Sequence, residues 1–257
     1  MLLAIDIGNT ETTLGVFEGD NLVQTWRLAT QRERTADELA LVIHSLLRFE
    51  HIGFHEHIDG FAVSSVVPSA TRAMREMGPR YIDLEPLVIE PGVRTGMPIR
   101  IDNPTEVGAD RICNAVGAYE QLGGPCIAID LGTATTFDAV SANGEYLGGA
   151  IAPGLAISAN ALVSMTAQLK RVEFATPSRI IGKSTAEAIQ SGVVAGYACL
   201  IDGMIEHFRK ELGADARSVM TGGLAEAMAP SLHGVDELDP WLVLKGLRLI
   251  YERNVDA

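Results

Sequence analysis

The chain has 257 residues, 47% of them hydrophobic and 21% charged, and a formal net charge of −13. That is enough apolar chain for one large or two smaller cores. A solvated acidic surface argues against nucleic acid and anionic membranes as partners, yet leaves room for a small anion held by backbone N–H groups.

No run of about 18 uncharged apolar residues occurs, so no membrane span is expected. The start, "MLLAIDIGNT", lacks a basic leader and meets Asp6 early; a cytoplasmic protein without a signal peptide is expected. "MLLAIDI" predicts a first strand, Gly8 and Asn9 a turn, and "TTLGVFEG" a second strand. "EGDN" marks a hairpin into a third strand, "LVQTWRLA". In "TADELALVIHSLLRF", Thr35 and Glu38 form a capping box, and Leu39, Val42, Ile43, Leu46 and Leu47 recur at helical spacing. A strand over "IDGFAVSSVV", a short helix over "SATRAMREM" and a strand over "PLVIEP" follow.

"NPTEVGADRICNAVGAYEQLGG" predicts one helix, with Asn103 as cap, Pro104 in the first turn and a glycine pair at the end. Then the cycle restarts. "PCIAID" and "TTFDAVSA" predict strands, "NG" a turn and "EYLGGAIA" a third strand. "PGLAISANALVSM" and "STAEAIQSGVVAGYACLIDGMIEHFRKEL" predict helices, "RSVMTGG" a short strand, and "DPWLVLKGLRLIYERN" a closing helix. A strand-strand-strand-helix-strand-helix order that occurs twice is a domain duplication. The halves are expected at 1–103 and 104–257, packed face to face with a cleft between them.

Cys113, Cys126 and Cys199 form no C-x-x-C pair and are expected as small buried residues in a reducing compartment. His51, His55 and His57 crowd together in "HIGFHEH" without a cysteine partner, which fits a solvated loop better than a metal site. "GKST" resembles the end of a Walker A loop, but that loop needs glycine where Pro177 stands.

The most telling repeat is Asp-x-Gly followed by amide or hydroxyl residues, in "DIGNTETT" from Asp6 and "DLGTATT" from Asp130. Glycine lets the backbone approach a phosphate, and amides and hydroxyls donate to it. A bare aspartate there would repel the phosphate, so each copy implies a cation. The duplicated grip resembles the phosphate motifs of the acetate kinase, sugar kinase, Hsp70 and actin superfamily, and "TGGLA" resembles its adenosine motif. More narrowly, "DIGNT", "NPTEVGADR", "DLGTATTFD", "GGAIAPG", "GKSTAEAIQSG" and "TGGLA", in this order, resemble type III pantothenate kinases.

The resemblance implies an α/β fold: duplicated actin-like ATPase (ribonuclease H-like) domains with a nucleotide cleft between them. It also implies ATP-dependent phosphorylation of pantothenate to 4'-phosphopantothenate, the first step towards coenzyme A, by a cytoplasmic homodimer. Asp6, Ile7, Gly8, Asn9, Thr10, Glu11, Thr12 and Thr13 would wrap the ATP phosphates, with Asp6 organising Mg²⁺. Thr133 would meet the γ-phosphate. Asp130 would ligate a monovalent cation, K⁺ or NH₄⁺. Thr221, Gly222 and Gly223 would lie against the nucleoside. On the pantothenate side stand Gly108, Ala109, Asp110 as general base, Arg111 as carboxylate partner, and Thr185.

In the expected helix Asp110 would share a face with Val107 and Asn114, and Arg111 would point about 100° away. Many family members carry a tyrosine where this chain has Ile101; Tyr146 and Tyr197 are available, but the sequence does not place them. Two alternatives stay open: another small-molecule kinase of the superfamily, and a nucleotide-binding regulatory protein that keeps the fold without catalysis.

Overall fold

The computed structural model describes residues 1–164 and 174–255. By contacts the chain divides into two compact units. The first is Met1–Gly96, Asn103–Gly117 and Val243–Ala257; the second is Met97–Asp102 and Ala118–Leu242.

The first unit opens with β1 (Leu2–Ile7), β2 (Glu11–Glu18) and β3 (Asn21–Ala29). The β2–β3 hairpin closes on Gly19 and Asp20, and Gly19 has φ +57. That left-handed value matches strand twist in a two-residue turn and suits glycine. Next come α1 (Ala36–Phe49), the short α2 (Phe54–His57), β4 (Gly60–Ser65), α3 (Pro68–Tyr81) and β5 (Leu87–Val88). The sheet order is β3-β2-β1-β4-β5. β1 pairs antiparallel with β2 and parallel with β4.

α1 starts where the sequence indicates. The Thr35 hydroxyl accepts from the Glu38 N–H at 3.3 Å, and Glu38 Oε2 accepts from the Thr35 N–H at 2.9 Å. Leu39, Ala40, Ile43 and Leu47 of this helix join Leu3, Ile5 and Ile7 of β1 and Met74 and Met77 of α3 in one core. Burying each large aliphatic side chain contributes about 1.5–3 kcal/mol. α3 runs past the expected "SATRAMREM", through Pro79 to Tyr81. Conversely, the "PLVIEP" strand shortens to two residues. His57 is tied into α2, where its Nδ1 accepts from the Gly53 N–H at 2.9 Å.

The expected helix from Asn103 is broken. Pro104–Glu106 forms one 3₁₀ turn, Val107 is extended, and α4 runs over Ala109–Leu122. Asn103 closes the short turn on itself: its Oδ1 accepts from the Thr105 hydroxyl at 2.7 Å, and its Nδ2 donates to Glu106 at 2.7 Å. Local capping by side chains ended the turn that helical periodicity would have continued.

The second unit repeats the plan with β6 (Cys126–Leu131), β7 (Ala134–Val140), β8 (Tyr146–Pro153), α5 (Leu155–Ser164), α6 (Thr185–Gln190), α7 (Gly196–Leu212), β9 (Arg217–Thr221), α8 (Ala225–Met228) and β10 (Glu237–Leu238). Its order, β10-β9-β6-β7-β8, is that of the first sheet strand for strand. Even the register irregularities match, at Val16/Phe17 and at Ala139/Val140. Ile127, Ile129, Leu131 and Phe137 pack on Val194, Tyr197, Ala198, Ile201 and Ile205.

α6 and α7 join through a π-type segment, Ser191–Ala195, into one helical run Thr185–Leu212. This run is long and apolar enough to cross a membrane, with mean hydropathy 1.4 over its most apolar window, which the sequence reading did not anticipate. Five of its residues nevertheless belong to the core just described.

α9 (Leu242–Val255) closes the chain. The contact-defined units are cut differently from the 1–103 and 104–257 halves. The first turns of α4 and nearly all of α9 group with the first sheet. The reason is close packing: a Cβ on Gly246 would lie 1.8 Å from the Cys113 carbonyl oxygen, and one on Gly15 would lie 2.7 Å from Leu244 Cδ1. α4 and α9 therefore meet backbone to backbone, and α9 presses on β2.

Candidate active site

The first grip stands at the end of β1. Asp6 pairs with Thr13 and Ile7 with Thr12 across the hairpin. Between them the Gly8 N–H donates to the Glu11 carbonyl at 2.9 Å, while Asn9 and Thr10 are exposed. Thr30, just past β3, braces this turn. Its hydroxyl donates to the Gly8 carbonyl at 2.8 Å and lies 2.9 Å from Thr12 Oγ1, and its N–H donates to the Thr10 carbonyl at 2.9 Å. Arg32 donates to Asn9 Oδ1 at 2.9 Å. The Ile7 side chain lies in the core, so only its backbone can serve a phosphate. The Glu11 carboxylate pairs with Arg27 at 3.7 Å.

Asp6 has a neighbour the sequence did not reveal. β4 runs parallel to β1 with Ser64 opposite Asp6, and the buried Ser64 hydroxyl donates to Asp6 Oδ1 at 2.7 Å. Cys113 of α4 lies behind this pair. Burial first, then the charges of Asp6 and Asp110, push its thiol well above its ordinary range, against an opposing hydrogen bond with Ser64. The thiol is therefore neutral and marks where Asp6, Ser64 and Asp110 converge. Burial likewise pushes Cys126 up to about 12, whereas Cys199 is exposed, contrary to expectation.

Asp110 sits in the first turn of α4. Its Oδ1 accepts from the Arg111 N–H at 2.8 Å. Val107 lies outside the helix, so the shared face expected from periodicity holds only forward, to Asn114. A Cβ on Gly108 would lie 2.5 Å from Asp110 Oδ1 and 3.5 Å from Val66 Cγ1, so glycine there leaves room for the carboxylate. Burial raises the Asp110 pKa above its ordinary value; the Arg111 N–H, the Arg111 charge and its own backbone oppose the rise. Desolvation dominates.

The second grip, in the second unit, follows the same scheme with a turn one residue shorter. Asp130 pairs with Thr136 and Leu131 with Thr135, and the Gly132 N–H donates to the Ala134 carbonyl at 3.1 Å. Thr221 of β9 stands opposite Asp130, as Ser64 stands opposite Asp6. Gly222 has φ +99, and a Cβ there would lie 2.4 Å from Asp130 Oδ1 and 2.6 Å from the Leu131 nitrogen. Only glycine lets this backbone pass so close to the carboxylate. Gly223 is exposed next to it.

Thr185 is exposed at the start of α6, which Ser184 caps by accepting from the Glu187 N–H at 3.2 Å. Tyr146 is buried and donates to Asp138 at 2.7 Å. Tyr197 is bonded to Thr135 and Pro153. The Cγ2 of Ile101 would lie 3.4 Å from a Cβ on Gly148.

Among the described residues no three His, Cys, Asp or Glu side chains cluster as a metal cage. Single carboxylates at the strand ends fit cations completed by phosphate oxygens and water, the usual setting of Mg²⁺ with a nucleotide. The glycine-lined approach to Asp130 fits a nucleotide lying along that backbone.

Two sheets of identical order, each ending its central strand in an aspartate-glycine grip, define the actin-like α/β fold class. A solved structure of a Baf family protein from Campylobacter jejuni superposes with TM-score 0.62 at 20% identity, over 99% of this chain and 100% of that one. Component A of (R)-2-hydroxyglutaryl-CoA dehydratase from Acidaminococcus fermentans gives 0.60 at 16% identity, over 100% and 99%. Within that class the chain belongs to the type III pantothenate kinase family, whose model matches residues 2–207. It is 50% identical over 254 residues to the type III pantothenate kinase of Moorella thermoacetica, covering 99% of this chain and 100% of that protein.

Gly222→Ala tests the close approach to Asp130. Alanine at positive φ costs about 1–2 kcal/mol by itself. Gly92→Ala, at φ +105 with no atom within 4 Å of a new Cβ, carries that cost alone. Gly222→Ala adds a clash with the Leu131 backbone and should lose more stability in urea than Gly92→Ala, and only Gly222→Ala should weaken ATP binding in calorimetry. Equal ATP affinities in the two variants would show that the site does not use this backbone.

Proposed function

We propose that this chain transfers the γ-phosphoryl group of ATP to the primary hydroxyl of pantothenate, giving 4'-phosphopantothenate at the entry to coenzyme A synthesis. The observation that carries this reading is the carboxyl group of Asp110, desolvated at the start of α4 in the "GADR" motif and given room by Gly108. Family membership over nearly the whole chain supports the choice of acceptor.

In this mechanism the turn Gly8–Thr13 offers N–H and hydroxyl donors to the phosphates, and Thr133 donates to the γ-phosphate. Asp6, oriented by Ser64, is the residue that would hold Mg²⁺, and Asp130 the one that would hold K⁺ or NH₄⁺; cations held there would neutralise charge on phosphate oxygens. Thr221, Gly222 and Gly223 take the nucleoside. Arg111 forks onto the pantothenate carboxylate, an arrangement that suits guanidinium better than ammonium. Thr185 makes a further contact to that substrate. Asp110 accepts the hydroxyl proton as the oxygen bonds to phosphorus and ADP departs. Most of the acceleration comes from alignment and charge stabilisation.

The raised pKa sets a sign. Asp110 works as a base only when ionised, so turnover should fall as pH drops through its pKa, at a higher pH than an ordinary aspartate would give. Asp110→Asn should lower kcat by about 10²- to 10⁴-fold, remove that acid limb, and leave ATP binding nearly unchanged. Near-normal turnover in the variant would remove Asp110 as the base. A protein that binds ATP without phosphorylating pantothenate would turn the reading towards regulation.

The assignment of Asp130 has its own test. Replacing sodium with potassium or ammonium should raise activity with Mg²⁺-ATP several-fold, and Asp130→Ala should abolish that response. Identical rates in the three salts count against a monovalent site.

We also propose a cytoplasmic homodimer. Three free cysteines fit a reducing compartment. Ile151 on edge strand β8 is 64% exposed, and Ile157 and Leu162 on α5 are 46% and 42% exposed, an apolar surface that suits a second copy. Met165, at the end of the same segment, lies outside the described residues. Light scattering should give twice the chain mass, and Ile157→Glu should shift it towards one; a monomeric unmodified protein contradicts the proposal.

A further inference from the structure

The two grips are braced by equivalent positions with different chemistry. Thr30 follows Ala29, the partner of Glu11, and Gly154 follows Pro153, the partner of Ala134. Both donate a backbone N–H into the grip: Thr30 to the Thr10 carbonyl at 2.9 Å, Gly154 to the Thr133 carbonyl at 3.2 Å. Thr30 adds its own hydroxyl, bonded to the Gly8 carbonyl. Gly154 has no side chain and can have none, since a Cβ there would lie 2.2 Å from the Thr133 oxygen and 2.7 Å from the Gly132 oxygen. The second grip needs a brace from elsewhere.

Tyr197 of α7 supplies it. Its side-chain oxygen lies 2.8 Å from Thr135 Oγ1 and bonds the Pro153 carbonyl. A phenol has one proton and a carbonyl can only accept. Tyr197 therefore donates to Pro153, and the Thr135 hydroxyl donates to Tyr197. Burial raises the phenol pKa, with the Thr135 bond opposing, so the phenol keeps its proton and the chain keeps its direction. One run of bonds thus links β7, α7 and the β8–α5 corner to the turn that carries Thr133.

We propose that Tyr197 is a positioning residue for phosphoryl transfer: through Thr135 and Pro153 it holds the Gly132–Thr133 turn in the shape that meets the γ-phosphate. The inference rests on the assignment of that turn made above.

The test compares Tyr197→Phe, Thr135→Val and the double variant in steady-state kinetics with pantothenate, alongside thermal unfolding. A displaced contact at the reacting phosphoryl group should lower kcat by about tenfold in Tyr197→Phe, with the KM for pantothenate within about twofold. Thr135→Val breaks the same chain and should reproduce the loss. The double variant should be no slower than the slower single one. A kcat within about twofold of the unmodified protein, with only the melting temperature lowered, would make Tyr197 a packing residue and overturn the proposal. Losses that multiply in the double variant would overturn it too. If Tyr197→Phe does not fold, Thr135→Val decides alone, upheld by the kcat loss and overturned by a normal rate. If the unmodified protein does not phosphorylate pantothenate, it is the activity reading that fails. The positioning role is then read from calorimetric ATP affinity in Tyr197→Phe: about tenfold weaker upholds it, and unchanged overturns it.

Discussion

A carboxylate at the end of a central strand, next to a tight glycine turn, is the constraint around which this protein is organised. Asp6 and Asp130 each end the strand that pairs antiparallel on one side and parallel on the other. The antiparallel neighbour returns through the glycine turn and builds the grip. The parallel neighbour arrives after a helical crossover and places a hydroxyl residue opposite the acid, Ser64 in one unit and Thr221 in the other.

Duplication did not keep the copies alike. The first turn is one residue longer, exposes Asn9 and Thr10, and is braced by the hydroxyl of Thr30. The second is tighter, is closed by Gly154 against its own carbonyls, and takes its hydroxyl brace from Tyr197. The faces behind the acids also differ. In the first unit α4 and α9 meet through Gly246 and the Cys113 backbone, which brings the first turn of α4, with Asp110, close to Asp6 and Ser64. A bulkier residue at position 246 would push that turn away.

Elements whose signals are short-range were legible. The Thr35–Glu38 capping box, the Gly19 hairpin and the apolar runs of β1 and β6 depend on residues a few positions apart, and the structure has them where the sequence indicates. The start of α4 was not legible. Asn103, Thr105 and Glu106 satisfy one another locally and stop the first turn. The π segment gives no signal either, because "SGVVAG" is compatible with an uninterrupted helix. β5 and β10, two residues each, owe their existence to parallel neighbours already in place.

By itself the sequence determined the duplicated order of elements, the two aspartate-glycine turns and the family motifs, because hydrophobic period, turn chemistry and motif spacing are all encoded within short stretches. Tertiary structure decided the rest: that Ser64 orients Asp6, that burial raises the pKa of Asp110, that Ile7 faces the core, and that Tyr197 braces a turn 64 positions away at Thr133. These outcomes depend on strand pairing and desolvation between distant parts of the chain. No local pattern of residues specifies such contacts until the sheets have formed.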